Sequence, residues 1–309
     1  MSCIVGSCGL IFGQYFKQIG GIPFAIILGA FVNNFLKIPL QFNEGIKFCE
    51  KKFLNLAIII MGLDFNLNHL KSLSSQFILS LIALVFIVIY ISFLIGKLMR
   101  IKSSVSILLG IGNSICGASA IAATSSMITK QKEDIAISIT IINILGVLGV
   151  FLLPHFLVDL EPYISGALVG GSLQAVGHVV AASSFLTEEA SQIALAVKMG
   201  RVSLLIPIIL IISMITNKSR SKIDIRSVFP TYIVMFVLSV IIANMNIIPI
   251  HILIIVKKVN HFILATAMGA LGLSLSFKSL KNNFLQSLFL GGAVFTIQLL
   301  VLGVIIALF

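Results

Sequence analysis

Long apolar runs recur along the whole of this 309-residue chain and limit the folds that are open to it. Hydrophobic residues make up 59% of the sequence and charged residues only 10%, whereas a soluble domain carries about 25% charged residues. The runs approach the length of about 20 residues with which an α-helix crosses a bilayer, and the alternating pattern of outer-membrane strands is absent. We therefore predict an all-α, polytopic transmembrane bundle of about 10–11 helices.

Ten stretches of the sequence are predicted as spans. They are residues 21–42, 53–69, 76–97, 105–128, 135–157, 163–185, 191–215, 228–246, 259–276 and 284–309. The apolar stretch 4–16 is shorter, and it is either a truncated extra helix or a segment that lies in the membrane interface. The lipid bilayer is accordingly the first predicted partner of the chain.

The net charge of +11 comes from Lys and Arg residues that we place in short loops between these spans. Such residues set orientation, because loops rich in Lys and Arg stay in the cytoplasm. Their distribution predicts that alternate loops, beginning with the first, are cytoplasmic, and it is no sign of nucleic-acid binding. The clusters hold Lys47, Lys51, Lys52, Lys97, Arg100, Lys102, Lys218, Arg220, Lys222, Arg226, Lys257 and Lys258.

The chain also repeats itself, because Met61-Gly62 recurs as Met268-Gly269, 207 positions later. At the same offset, Lys71-Ser72-Leu73, Phe77, Ser80 and Leu81 match Lys278-Ser279-Leu280, Phe284, Ser287 and Leu288. We divide a single transporter domain, 1–309, into repeat copy one (21–100), central site helices (105–215) and repeat copy two (228–309). Copies separated by an odd number of crossings have opposite orientations, as in the inverted repeats of many secondary transporters. The alternative is that amphipathic helix ends simply resemble one another.

Two segments between the copies, 110–120 and 166–178, are dense in Gly and Ser although they are embedded in apolar sequence. Gly costs about 1 kcal/mol relative to Ala inside a helix, so we predict broken or re-entrant helices there. Unpaired backbone groups at membrane depth must face protein, water or substrate, and the N-terminal end of a half-helix attracts anions. The alternative is close helix packing through the Gly166-x-x-x-Gly170 pattern.

The seventh predicted span holds two cations, Lys198 and Arg201, within an otherwise apolar helix. They are three residues apart and share a face. At 1.5 Å per residue, Arg201 is about 15 Å from the start of the span, near the membrane midplane. A charge there needs a partner or water, and an anionic substrate would supply one. The alternative for Arg201 is a structural ion pair with Asp64, and Lys198 could instead pair with Glu188 or Glu189 at the rim.

The motifs of hydrolases and nucleotide-driven pumps are missing from the sequence: it contains no H-E-x-x-H, no G-x-S-x-G and no P-loop. We therefore predict a protein that is not an enzyme and that uses no cofactor. The four cysteines, Cys3, Cys8, Cys49 and Cys116, show neither disulfide nor metal-ligand spacing, so we predict no metal site.

The run from Ile115 to Ala123, Ile-Cys-Gly-Ala-Ser-Ala-Ile-Ala-Ala, resembles the signature of the YeiH-like bacterial membrane proteins, which are named as sulfate exporters. The likeness extends to Gly170-Gly171-Ser172, to Val197-Lys198 with Arg201 and to Ala267-Met268-Gly269. That family is similar in outline to transporters of the bile-acid symporter and auxin-efflux type, with inverted repeats and crossed broken helices. The resemblance implies a secondary transporter of small anions. Its members commonly have His at position 174 and Gln at 178, and here the two residues are exchanged.

These observations predict a secondary active transporter of a small inorganic or organic anion, sulfate or sulfonate-like, with its site between the two Gly-rich segments. Arg201, with Lys198 as the weaker candidate, would neutralise the anion. The candidate substrate-binding residues are Asn113, Ser114, Cys116, Gly117, Ser119, Ser172, Gln174, His178, Lys198 and Arg201. The alternative is an ion channel or a regulatory membrane protein. Proton or sodium coupling and homo-oligomerisation stay open, and His178 is either a proton carrier or a packing residue.

Overall fold

The computed structural model describes residues 1–15, 21–36, 38–64, 75–215, 231–245, 248–274 and 284–308, and this part of the chain is helical without a strand. Its α-helices are α1 (Ser2–Tyr15), α2 (Gly21–Phe35), α3 (Asn43–Phe48), α4 (Leu54–Met61), α5 (Ser75–Leu98), α6 (Ser103–Ser114), α7 (Ala118–Ile128), α8 (Lys132–Leu157), α9 (Pro162–Ser172), α10 (Val176–Ser183), α11 (Glu188–Ser203), α12 (Leu205–Ile215), α13 (Thr231–Asn244), α14 (Ile250–Ser274) and α15 (Phe284–Ala307).

Five of these helical stretches are long and apolar enough to cross a membrane, which confirms the predicted class. They are Leu79–Leu98, Lys132–Leu157, Glu188–Ile209, His251–Ser274 and Phe284–Ala307. A π-helical turn, Cys49–Phe53, joins α3 to α4, so residues 43–64 form one continuous helical segment. With that segment and each of the pairs α6–α7, α9–α10 and α11–α12 counted once, the described residues form eleven helical segments, within the predicted number.

Local sequence signals fix several helix starts. Pro162 occupies the first position of α9, where its missing N–H costs nothing. The Thr187 hydroxyl accepts a hydrogen bond from the Ala190 N–H at 3.2 Å and caps α11. Glu133 and Asp134 lie in the first turn of α8, where negative charge complements the helix dipole. The interruptions in the bundle therefore lie between well-defined helices.

The predicted helix starts at residues 53 and 259 were wrong, because the helical segments begin at 43 and 250. The lysine pairs Lys51-Lys52 and Lys257-Lys258 indicated loops to us, yet each pair lies within helical structure. All four lysine side chains are exposed. A long lysine stem carries its ammonium group to the surface while the backbone stays helical, which explains why the same error occurred in both copies.

The chain divides into two compact units. The first comprises Met1–Leu70 and Pro230–Ser279, and the second comprises Lys71–Phe229 and Leu280–Phe309. Each repeat copy contributes its first two helical segments to the first unit and its third helix to the second. The matching runs Lys71-Ser72-Leu73 and Lys278-Ser279-Leu280 lie outside the described residues.

Packing inside the first unit is reciprocal between the repeat copies. The first helix of copy one, α2, packs on the second helix of copy two, α14, while α4 of copy one packs on α13 of copy two. This exchange is expected for two copies of one unit related by a twofold axis. The N-terminal stretch forms a helix, α1, which packs against both α2 and α14.

Small residues allow these helices to approach closely. A Cβ atom added to Gly29 would collide with the backbone of α14, and one added to Gly272 would collide with the backbone of α2. Backbones this close exclude any larger side chain, and such contacts drive helix association in lipid. The α2–α14 interface is therefore the tightest constraint on the first unit.

The second unit contains two interrupted helices, α6–α7 and α9–α10, among α5, α8, α11, α12 and α15. Ile115 and Gly117 leave helical geometry between α6 and α7, and Gly117 has a φ of 66°, a conformation that favours glycine. Leu173 and Ala175 are extended between α9 and α10. The prediction of broken helices in both Gly-rich segments is confirmed.

We predict that Gly272→Leu destabilises the protein, because the new side chain meets the backbone of α2. The melting temperature in detergent should fall, and monodisperse material should be lost. Gly303→Leu is the matched control, since a Cβ at Gly303, also in a long helix, meets nothing within 4 Å. Equal melting temperatures for the two variants would contradict the close approach of α2 and α14.

Candidate functional site

The two helix interruptions meet inside the second unit. A Cβ atom added to Gly117 would lie 3.5 Å from the Gln174 Cβ and 3.6 Å from the Gln174 carbonyl carbon. These are ordinary van der Waals distances, so the two breaks are in contact. Because Gly117 and Ala175 are the N-cap residues of α7 and α10, this contact brings the starts of those two half-helices together. We call this place the crossing.

The carbonyl end of α6 is closed by the two buried cations. The Arg201 Nη2 donates to the Asn113 carbonyl at 2.6 Å, and Nε donates to the Ser114 carbonyl at 3.0 Å. The Lys198 Nζ donates to the Ile115 carbonyl at 2.6 Å. The last carbonyls of a helix have no partner within the helix, so these bonds supply what the interruption removes.

The carbonyl end of α9 is bound by the same two side chains. The Arg201 Nη1 donates to the carbonyls of Gly170 at 3.1 Å and Leu173 at 3.2 Å. The Lys198 Nζ donates to the Leu173 carbonyl at 2.7 Å. Two side chains of α11 therefore tie the ends of two different half-helices to one point.

An amide from α15 completes the closure of α9. The Gln298 Nε2 donates to the carbonyls of Gly171 at 3.0 Å and Ser172 at 3.2 Å. Since a carbonyl only accepts, these bonds fix which end of the Gln298 amide carries nitrogen. The Gln298 Oε1 is buried without a hydrogen-bond partner.

Both cations are fully removed from the surface, with Lys198 0% and Arg201 1% exposed. Within the described residues their hydrogen-bond partners are all main-chain carbonyls, and no carboxylate contacts either one. A cation at the C-terminal end of a helix is favourable, because it complements the negative end of the dipole. The structure describes the backbone of Asp64, the alternative partner for Arg201, but not its side chain.

The glycine pattern of α9 also serves packing, as the alternative interpretation held. A Cβ on Gly166 would meet the Ala190 carbonyl, and one on Gly170 would collide with the Ala194 backbone. The close approach of α9 and α11 lets Lys198 and Arg201, further along α11, reach the carbonyls at the end of α9. The same two glycines therefore allow both the close packing of α9 on α11 and the hydrogen bonds from Lys198 and Arg201 to the end of α9.

A relay of side-chain amides crosses the two breaks. The Asn113 Nδ2 donates to the Gly291 carbonyl at 3.4 Å, and the Asn113 Oδ1 accepts from the Gln174 Nε2 at 2.9 Å. Because the Gly291 carbonyl can only accept, the polarity of the whole relay is fixed. The Gln174 Oε1 is left as a buried acceptor without a protein partner.

The N-cap residues of α7 and α10 make no side-chain cap bond. Of the first N–H groups of α7, that of Ala120 bonds the Cys116 side chain, and the others are candidate donors. His178 lies in the first turn of α10, 0% exposed, and neither of its ring nitrogens has a partner. Its imidazole packs directly against Gly146 of α8, where a Cβ atom would collide with the ring. A buried polar group of this kind calls for a ligand or an ordered water.

The side chains of several other predicted site residues do not take part in the hydrogen bonds of the crossing. The Ser114 hydroxyl donates to the Ile111 carbonyl, and the Ser172 hydroxyl donates to the Leu168 carbonyl, so both are bonded within their own helices. Cys116 is buried in the first break, whereas Ser119 is exposed in α7. The structure therefore brings together Asn113, Gly117, Gln174, Lys198 and Arg201.

The sequence analysis did not identify two residues of the site, Gln298 and Gly146. Gln298 carries a detectable signal, because an amide within an apolar span of α15 must find a partner. Gly146 carries none, since its role is to leave room for the His178 ring. The importance of such a glycine depends on which side chain lies opposite it.

Comparison with known proteins gives a family. The family model for conserved hypothetical protein 698 matches residues 1–291. A UPF0324 membrane protein of Bartonella henselae is 32% identical over 275 residues, covering 88% of this chain and 78% of the relative. One from Staphylococcus aureus is 34% identical over 275 residues, covering 88% and 83%. One from Agrobacterium fabrum is 30% identical over 316 residues, covering 98% and 89%. No solved structure matches.

We predict that Gln298→Leu lowers stability by about 1–3 kcal/mol, because it leaves the Gly171 and Ser172 carbonyls buried without a donor. Thermal unfolding in detergent should show the loss. Gln286→Leu is the matched control, since Gln286 is exposed on the same helix. If both variants melt at the wild-type temperature, the Gln298 amide does not hold the end of α9.

Proposed function

We propose that this protein, a member of the conserved hypothetical protein 698 family, is a secondary transporter of a small anion without catalytic activity. The chain is a polytopic helical membrane protein, and its relatives carry the name of membrane proteins. The bacterial inner membrane is the proposed location. The observation that carries the proposal is a buried, uncompensated positive charge at the point where two interrupted helices meet.

The charge at the crossing is the first support. Lys198 and Arg201 face two helix C-terminal ends of about −0.5 each, while the nearby starts of α7 and α10 add about +0.5 each. About two positive charges therefore remain, and within the described residues no carboxylate contacts either cation. A negatively charged ligand would neutralise this excess, as in other sites at half-helix starts.

Unused hydrogen-bonding capacity is the second support. A guanidinium has five N–H donors and an ammonium has three. Arg201 makes four recorded hydrogen bonds and Lys198 makes two, so each keeps one donor without a protein acceptor among the described residues. The N–H groups at the starts of α7 and α10 add further donors. Donors without acceptors match an anion that carries oxygen atoms.

The architecture favours a transporter over the alternatives. Interrupted helices that meet at membrane depth are typical of carriers that bind substrate midway across the bilayer. The crossing is closed by buried side chains rather than by an open pore, which is the observation against a channel. A regulatory role would need a partner, and nothing in the described residues favours one.

The finer assignment rests on the sequence resemblance to the YeiH-like sulfate exporters and, in outline, to bile-acid symporter and auxin-efflux transporters. On that basis we propose sulfate or a sulfonate-like anion as the first substrate to test. Homo-oligomerisation and the single-domain organisation proposed from the repeat can be examined on the same purified protein by light scattering and limited proteolysis.

We predict that Arg201→Gln reduces anion flux into proteoliposomes by about 10- to 100-fold, since a hydrogen bond to a charged group contributes about 1.5–3 kcal/mol. Radiolabelled sulfate, sulfite and a sulfonate are the probes. Arg100→Gln is the matched control, because Arg100 is exposed. Wild-type flux in a folded Arg201→Gln protein would contradict the proposed anion site.

Because Arg201 also holds backbone carbonyls, a second variant separates transport from folding. Gln174→Glu keeps the size of the side chain and puts a negative charge at the crossing. We predict that it inserts into the membrane and melts only a few degrees below the wild type, because one hydrogen bond, to the Asn113 Oδ1, is lost. Anion flux should be lost through repulsion between the carboxylate and the substrate. Gln286→Glu is its exposed control. An unchanged flux in Gln174→Glu would show that no anion passes the crossing.

A further inference from the structure

The cations at the crossing also bear on which ion can drive transport. In carriers with interrupted helices, the half-helix C-terminal ends and the unwound carbonyls are where a sodium ion binds. In this protein those oxygens lie at the ends of α6 and α9. They are the carbonyls of Asn113, Ser114, Ile115, Gly170 and Leu173, and each accepts a hydrogen bond from Lys198 or Arg201.

We infer that transport by this protein is independent of sodium, because Lys198 and Arg201 are resident cations in the place that a diffusible cation would occupy. This inference rests on the proposed function and names the coupling class of the same site. It makes the positive charge at the crossing a permanent part of the fold instead of something loaded with each cycle.

Coordination supports the inference. A sodium ion needs several oxygen ligands, and the described carbonyls at both helix ends are already engaged at distances of 2.6–3.2 Å. The two remaining carbonyls at the end of α9, of Gly171 and Ser172, accept from Gln298. A sodium ion would have to displace these donors, and it would gain no carboxylate from the described residues around the two cations.

Electrostatics points in the same direction. Lys198 and Arg201 are 0% and 1% exposed, so water does not screen their charges effectively. A third positive charge at the same point would be repelled by both. An anion at the starts of α7 and α10 would be attracted instead, so the arrangement discriminates against cations at the point where it favours anions.

Wild-type protein in proteoliposomes gives the first test. Uptake of radiolabelled sulfate, or of another anion from the panel if sulfate gives no flux, is measured in matched sodium, potassium and N-methylglucamine buffers. The three buffers have equal ionic strength, so charges are screened equally in each, and equal rates support the inference. A fall of about tenfold or more when sodium is removed overturns it. The absence of flux for every anion contradicts the proposed function and leaves the inference to the second test.

The second test uses thermal unfolding in detergent and needs no transport. Sodium should leave the wild-type melting temperature equal to that in potassium. Lys198→Met removes the recorded side-chain donor of the Ile115 carbonyl and one of the two donors of the Leu173 carbonyl, which keeps Arg201. We expect sodium to raise its melting temperature by at least about 2 °C over potassium, because a ligand that binds only the folded state stabilises it. Lys97→Met is the matched control, since Lys97 is exposed.

The outcomes of the second test are distinct. Sodium-dependent stabilisation of the wild type overturns the inference, because it shows a cation site that the two side chains do not fill. A folded Lys198→Met protein that responds to sodium no more than Lys97→Met also contradicts it, because the carbonyls that Lys198 binds in the wild type then do not form a cation site. If Lys198→Met does not fold, the wild-type measurements alone decide.

Discussion

Six hydrogen bonds from two buried side chains to main-chain carbonyls hold the second unit together. An interrupted helix at membrane depth exposes carbonyls to a medium with no water, and each unpaired group there costs several kcal/mol. Lys198 and Arg201 remove that cost for α6 and α9 together. The two breaks therefore depend on the same two side chains, and α11, which carries them, packs on α9 at Gly166 and Gly170.

The same bonds explain why a buried charge is tolerated without an ion pair. A cation between two helix C-terminal ends gains from the negative end of each dipole, and all but one of the donors on each side chain bind oxygens that needed donors. Desolvation of the charge and desolvation of the carbonyls are thus offset by one set of contacts. Gln298 extends the arrangement to the remaining carbonyls of α9.

Much of this architecture was predictable from the sequence, because membrane burial and helix breaking have local causes. Apolar length indicates the spans, and glycine density indicates both interruptions. The depth of Lys198 and Arg201 on one apolar helix indicates that they are buried.

The hydrogen-bond partners of Lys198 and Arg201 were not predictable in the same way. The carbonyls they bind belong to residues 25 to 88 positions away in the sequence, and any residue supplies a carbonyl. The predicted starts of α14 and of the 43–64 segment were wrong for a related reason. A pair of adjacent lysines shows that two side chains reach the surface, but it does not show where the backbone stops being helical.

The reliance on main-chain acceptors has a consequence for how such a site varies in evolution. Lys198 and Arg201 bind atoms that every amino acid carries, so they are indifferent to the side chains of Asn113, Ser114, Ile115 and Leu173. Substitutions along both breaks can therefore alter what the crossing offers to a ligand without undoing the closure of the helix ends. The side chains that face a ligand can change one at a time while the two cations keep the helix ends closed.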